Sequence, residues 1–276
     1  MLLTESTYPF NKVLNDEEIF KMLKKAGFDG VDYCFSIGND FIQIENIDKV
    51  KELLDKYNLV CNQAHAPFVL SIDDELSLDN QNFLDVVTSL KYAKILGAKA
   101  IVVHAIKVPS GVDFLETNLN YYKTLLPYAK KYDIKIAVEN LLNSKFWKPE
   151  ALCNFVELLN SEYFTTCIDV GHSEITGVCA ENYISGMKKG FIEYVHIQDT
   201  DCQLDRHWIP YQGNHNWDNI LKALANYGFN GDMNLEIIHS FDNLPIKLYP
   251  AMLEYIAKVG KFMIEEFEKH KRERIL

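Results

Sequence analysis

Short β-branched runs alternate with amphipathic helical stretches along the whole chain, and that rhythm leaves few folds open. The runs fall at 30–34, 59–64, 100–103, 135–138, 165–168, 193–197 and 233–237, with a weaker first strand placed at 1–4. Helical spacing of apolar residues predicts a helix over 16–26, capped by Asn15 and closed by Gly27, and another over 80–96, closed by Gly97. The same spacing predicts helices over 118–132, 147–159, 217–227 and 250–271. The phrase Ala26-Gly27-Phe28-Asp29-Gly30-Val31 returns loosely as Tyr227-Gly228-Phe229-Asn230-Gly231-Asp232. Each copy reads as a helix end, a glycine turn and entry into a strand. Successive strand–helix units imply parallel strands joined by right-handed crossovers. For 276 residues, closure into an α/β (β/α)8 TIM barrel is the simplest solution, because such barrels commonly run to ~250 residues. A doubly wound open sheet is the alternative, but no glycine-rich phosphate loop follows the first strand. No linker or composition shift divides the chain, so residues 1–276 are read as a single domain.

Bulk properties narrow the function. Apolar residues make up 48% of the chain, enough for a large core. No apolar run approaches the ~20 residues that cross a bilayer, so no membrane partner is expected. The start, Met1-Leu2-Leu3-Thr4-Glu5, lacks the pattern of a signal peptide, and a cytoplasmic location is the expectation. The six cysteines (Cys34, Cys61, Cys153, Cys167, Cys179 and Cys202) include no C-x-x-C pair and read as reduced thiols. A formal net charge of −11 argues against a nucleic-acid partner, whose backbone demands clustered Lys and Arg.

Strand ends carry the chemistry. From the third strand onward each ends in His65, His104, Glu139, Asp169, His196 or Glu236. In a parallel barrel all strand C-termini open on one face, so these side chains converge on one mouth. Carboxylates gathered there repel one another unless a counter-charge sits between them. A divalent metal ion supplies it, and mixed carboxylate–imidazole ligation suits Mn, Co, Zn or Mg.

The motifs His65-Ala66-Pro67-Phe68, Val103-His104, Val138-Glu139-Asn140, Ile168-Asp169-Val170-Gly171-His172, Val195-His196-Ile197-Gln198-Asp199, Asp205-Arg206-His207 and Leu235-Glu236-Ile237 run in order over nearly the whole chain. As a set the chain resembles the xylose isomerase-like barrels, which include ketose epimerases, inosose isomerases and dehydratases, and apurinic endonucleases of the endonuclease IV type. For an epimerase, the resemblance implies one metal held by Glu139, Asp169, His196 and Glu236, with His172 and Arg206 touching substrate. For an endonuclease, it implies three zinc ions held by those four ligands together with His65, His104, His172, Asp205 and His207. His104, Asp205 and His207 are therefore candidate additional ligands.

The expected function is a metal-dependent sugar isomerase or epimerase. A lyase or dehydratase of inosose or keto-sugars is the first alternative, and an endonuclease IV-like phosphodiesterase the second. Besides the acidic charge, the loops offer few basic residues beyond Lys107, Lys145, Lys148 and Arg206, but carry Phe68, Phe146, Trp147, Trp208, Tyr211 and Trp217. Aromatic faces pack against the C–H face of a sugar. Trp208 is the pocket candidate, His65 a further substrate contact, and Trp217 is read as core. The loop 239–242 lacks glycine, which favours a free polyol or ketose over a sugar phosphate. Glu139 and Glu236, across the mouth from one another, are the candidate acid–base pair for moving a proton next to a carbonyl through an enediolate. Gln198 and Asp199 are expected to fix His196. A homo-oligomer is left open.

Overall fold

The structure, a computed structural model, describes residues 1–38, 40–68, 80–142 and 144–274. Eight parallel strands form its centre: β1 (Leu3–Ser6), β2 (Gly30–Cys34), β3 (Val60–His65), β4 (Ala100–Val103), β5 (Lys135–Glu139), β6 (Phe164–Asp169), β7 (Ile192–His196) and β8 (Met233–Leu235). They neighbour one another in chain order, with β8 beside β1. The ring closes just beyond β7, where Ile197 bridges Leu235, and Glu236 N donates to Ile197 O at 3.0 Å. The expected (β/α)8 TIM barrel is the observed fold.

Around it lie α1 (Asp16–Ala26), α2 (Ile47–Lys56), α3 (Gln81–Leu96), α4 (Phe114–Tyr132), α5 (Pro149–Leu159), α6 (Val170–Ile175), α7 (Ala180–Gly186), α8 (Trp217–Tyr227) and α9 (Tyr249–Glu273). Local chemistry sets their limits. At α1, Asn15 accepts from Glu18 N while Glu18 reaches back to Asn15 N, and Gly27 ends the helix at φ +99°. The repeated glycine phrase has one physical meaning in both copies. Gly27 and Gly228 turn the chain at positive φ, and Gly30 and Gly231 lie against the carbonyls of Val60 and Glu193 on neighbouring strands, where a Cβ would come within 2.5 Å.

Some boundaries differ from expectation. The first strand begins at Leu3 rather than Met1, and the last ends at Leu235 rather than Ile237. Helix α4 starts at Phe114 under an Asp113 cap and carries Pro127 within it, and α5 starts at Pro149. Helices α2, α6 and α7 and a small hairpin pairing Ser36–Ile37 with Asp40–Phe41 were not foreseen.

Strand residues facing outward, such as Val31, Tyr33, Ile136 and Val138, pack with the helices into one large core. The barrel interior is divided. On one side Val102, Ala137 and Cys167 form a separate apolar cluster with Tyr194. On the other, Thr4, Asp32, Gln63 and Asn234 are buried and hydrogen-bonded to one another. Among the described residues no helix is long and apolar enough to cross a membrane.

Candidate metal centre and active site

Strand register places the site residues side by side. Cys34 pairs with His65, Glu139 with Cys167, and Asp169 with His196, so inward-facing side chains arrive at one level of the barrel. Three groups of ligand atoms result, each with its members within 4.8 Å of one another: His65, His104 and Glu139; Glu139, Asp169, His196 and Glu236; and Asp169, His172 and His207. Glu139 belongs to the first two. Its Oε2 lies 2.9 Å from His104 Nε2 and 3.6 Å from His65 Nε2, and its Oε1 lies 3.1 Å from His196 Nδ1. Glu236 Oε2 meets the same His196 Nδ1 from the other side at 3.3 Å. Asp205 joins the third group, 3.3 Å from His172 Nε2 and 3.1 Å from His207 Nε2.

These residues fit a cation. Asp169 Oδ2 and His172 Nδ1 are buried without a hydrogen-bond partner, an expensive arrangement for protein alone. Several ring nitrogens are also turned toward the centre by outside contacts. His65 Nδ1 donates to Ala66 O at 2.7 Å, leaving Nε2 for the site, and His207 Nδ1 donates to Glu236 O at 3.0 Å. Asp169 is held by Asn140, whose amide bonds both to its N (2.7 Å) and to its O (2.9 Å), while Asp169 Oδ1 caps α6 by accepting from His172 N.

The charges are paired without metal, and the direction in which each group's pKa moves follows from that pairing. Burial alone lowers His172, but Asp169 and Asp205 outweigh it and hold the ring up to about 10. Against the same burial penalty, Glu236 and Asp205 hold His207 up to about 9. Burial would raise Glu139, yet His196, His104 and His65 keep it well below the usual carboxylate range. Burial pushes Glu236 above that range.

Above these side chains lies a pocket of about 610 Å³. His104, Glu139, His172, Asp205, His207 and Glu236 form its polar floor; Tyr8, Phe68, Leu142, Phe241 and Tyr249 contribute walls, and Lys12 and Lys107 line it too. Phe68 stacks on His104 with centroids 5.2 Å apart.

Several sequence expectations change here. Arg206 and Trp208 do not line the pocket. Arg206 Nε donates to Asp201 at 2.9 Å and its guanidinium lies over the Trp208 ring, so the two satisfy each other outside it. His65 sits beneath the floor, 2% exposed, as a ligand candidate rather than a substrate contact. Trp217 is core, as read, with Nε1 donating to Asp199 at 2.8 Å. Phe146 is also core, while Trp147 and Tyr211 are exposed. Gln198 and Asp199 do not fix His196. Gln198 bridges Asp169 and Asp205 at 3.2 and 3.1 Å, which requires Gly171, since a Cβ there would strike the Gln198 amide. The carboxylate on His196 is Asp32, 3.2 Å from Nε2, and sequence reading missed it. Its signal was a lone charge inside the strand Gly30-Val31-Asp32-Tyr33-Cys34.

With the geometry established, the chain can be set beside known proteins. It is 25% identical over 244 residues to an uncharacterized protein of Methanocaldococcus jannaschii, spanning 83% of this chain and 81% of that one. It is 24% identical over 188 residues to a probable endonuclease 4 of Staphylococcus aureus, spanning 59% of this chain and 61% of the other. Among solved structures it superposes on a D-tagatose 3-epimerase-like protein with TM-score 0.78 at 21% identity, covering 100% of both chains. It superposes on the IolI protein with a bound zinc atom with TM-score 0.74 at 18% identity, covering 98% of this chain and 99% of that one. At such identities the two structures speak to the fold alone. The family model for the xylose isomerase-like TIM barrel matches residues 20–259, and the chain belongs to that family.

Proposed function

We propose that this protein is a divalent-metal-dependent sugar isomerase or epimerase. The observation that carries the reading is the approach of Glu139 and Glu236 to one nitrogen of His196, at 3.1 and 3.3 Å, on the floor of a pocket. Two carboxylates placed this way can attend neighbouring carbons of one small substrate. Glu139, Asp169, His196 and Glu236 would hold the cation, which supplies polarisation of the substrate carbonyl and offsets charge developing on its oxygen. Glu139, kept ionised, takes the proton from the carbon beside the carbonyl. Glu236, the second carboxylate at the pocket floor, would be the group that returns a proton to the substrate carbon. His172, fixed by Asp205 at 3.3 Å, would hydrogen-bond a substrate hydroxyl. Phe68 and Phe241 exclude water and offer aromatic faces to the sugar. The D-tagatose 3-epimerase-like and zinc-bound IolI structures support this reading through shared fold.

A second reading is favoured by one observation: Glu139 links two of three ligand groups, and all nine residues of a trinuclear site are gathered. It would make the protein a phosphodiester hydrolase like the endonuclease 4 relative. The lining weighs against it, since Lys12 and Lys107 are the only lysines or arginines among the described residues that line the pocket, and a duplex needs many phosphate contacts. Solvent-proton exchange in D₂O over a panel of ketoses, beside cleavage of abasic DNA, tests the pair. Exchange with about one metal equivalent per chain supports the isomerase; abasic-site cleavage with about three replaces it.

A further inference from the structure

Beneath the metal floor, the polar half of the barrel interior converges on one carboxylate. Asp32 is 1% exposed, and its Oδ2 accepts from Gln63 Nε2 at 2.7 Å, Asn234 Nδ2 at 2.9 Å and His196 Nε2 at 3.2 Å. The orientation of Asn234 is itself determined, because Thr4 Oγ1 donates to its Oδ1 at 2.6 Å, turning its amide nitrogen toward Asp32. Residues of four strands, β1, β2, β3 and β8, thus form one network around the carboxylate that meets His196 on β7. The other carboxylate oxygen, Oδ1, is buried with no hydrogen bond. A network built only for stability has no use for such an acid, since an amide oxygen would accept the Gln63 and Asn234 bonds without the cost of burying charge.

We infer that Asp32 is a positioning residue that fixes the His196 ring so that Nδ1, not Nε2, is offered to the cation. The inference rests on the proposed cation site and adds a residue to it. The Nε2–H donates to Asp32, which leaves Nδ1 directed between Glu139 and Glu236. A carboxylate behind a ligating imidazole also increases its donor strength. Without Asp32 the ring is free to rotate about its bond to Cβ, and either nitrogen can face the carboxylates.

The test is Co²⁺ affinity of the metal-free protein, measured by chelator competition, for wild type and Asp32→Asn. Asparagine keeps an acceptor oxygen for Gln63, Asn234 and His196 Nε2 and removes the charge that favours the Nε2–H form of the ring and increases the donor strength of Nδ1. The expected result is a roughly 10–100-fold weaker Kd, an altered visible spectrum of bound Co²⁺, and a metal-free melting temperature near that of wild type. Equal affinity with an unchanged spectrum overturns the inference while leaving the cation site intact, and so does a fall in metal-free stability with affinity unchanged. Wild type that binds no Co²⁺, Zn²⁺ or Mn²⁺ overturns the cation site and the inference together. Should Asp32→Asn fail to fold, Asn234→Ala removes one anchor of Asp32 and keeps its charge. A several-fold weaker Kd is then expected, and an unchanged one counts against the inference.

Discussion

Glu139 touches His65, His104, His172 and His196, so it is the residue whose replacement reports most on the site. Glu139→Gln preserves volume and removes the proton acceptor. The variant is predicted to fold and to lose at least ~10²-fold in turnover, the usual scale for an acid–base group; a wild-type rate would show that another group does the chemistry. The thiols give a second residue-scale prediction. Burial pushes Cys61 and Cys167 up to about 12 and Cys34 higher still, whereas Cys179 is exposed. Native protein is expected to label at Cys179 first with iodoacetamide, leaving Cys34, Cys61 and Cys167 unmodified until it unfolds; mass spectrometry of the labelled peptides reads the order. The gathering of the strand-end histidines and carboxylates was legible in the sequence because parallel strands deliver their ends to one face. Asp32 was not, because its meaning lies in a contact with His196, 164 residues away. Arg206 was misplaced for a related reason, since only folding shows that Asp201 and Trp208 engage it first.

Among the elements, the segment after β7 matters most, because it carries Asp205 and His207. Its two ends are clamped at Asp199. Asp199 and Trp208 exchange backbone bonds at 2.8 and 2.9 Å, and the Asp199 carboxylate accepts from Thr200 N, His215 N and Trp217 Nε1. Trp217→Phe keeps the ring in the core and deprives Asp199 of its indole donor. It is predicted to destabilise by roughly 1–3 kcal/mol, with faster amide exchange over 200–208 than elsewhere in the barrel; uniform exchange rates would mean the clamp is not local. Helices with strong caps, such as α1, were readable to the residue. Helices α6 and α7 were not, since six and seven residues are too few to show a period. Helix α4 was read short because its first turn rests on an Asp113 cap rather than on apolar spacing.

At the scale of the whole molecule the barrel was legible from the alternation of strand and helix, while its divided interior was not. Period two says which residues face inward, but not that Thr4, Asp32, Gln63 and Asn234 would meet. A pH dependence follows from the paired histidines. In metal-free protein His172 and His207 are raised to about 10 and about 9, above the usual value near 6.5. Their contribution is full below about pH 6.5 and is lost as pH rises through those raised values. The metal-free melting temperature should therefore fall from about pH 7 to about pH 9.5, and protons should compete with the cation, so that its affinity increases with pH. A flat melting profile would mean that these rings are not charged in the fold.

The account turns on a cation shared by Glu139, Asp169, His196 and Glu236, and thermal unfolding of EDTA-treated protein with and without added Mn²⁺, Co²⁺, Zn²⁺ or Mg²⁺ tests it most directly. At a hundred times the dissociation constant, at least one of these ions is predicted to stabilise wild type by about 2.7 kcal/mol, and Asp169→Ala to lose that gain. Identical melting of wild type in EDTA and in every divalent salt would contradict it.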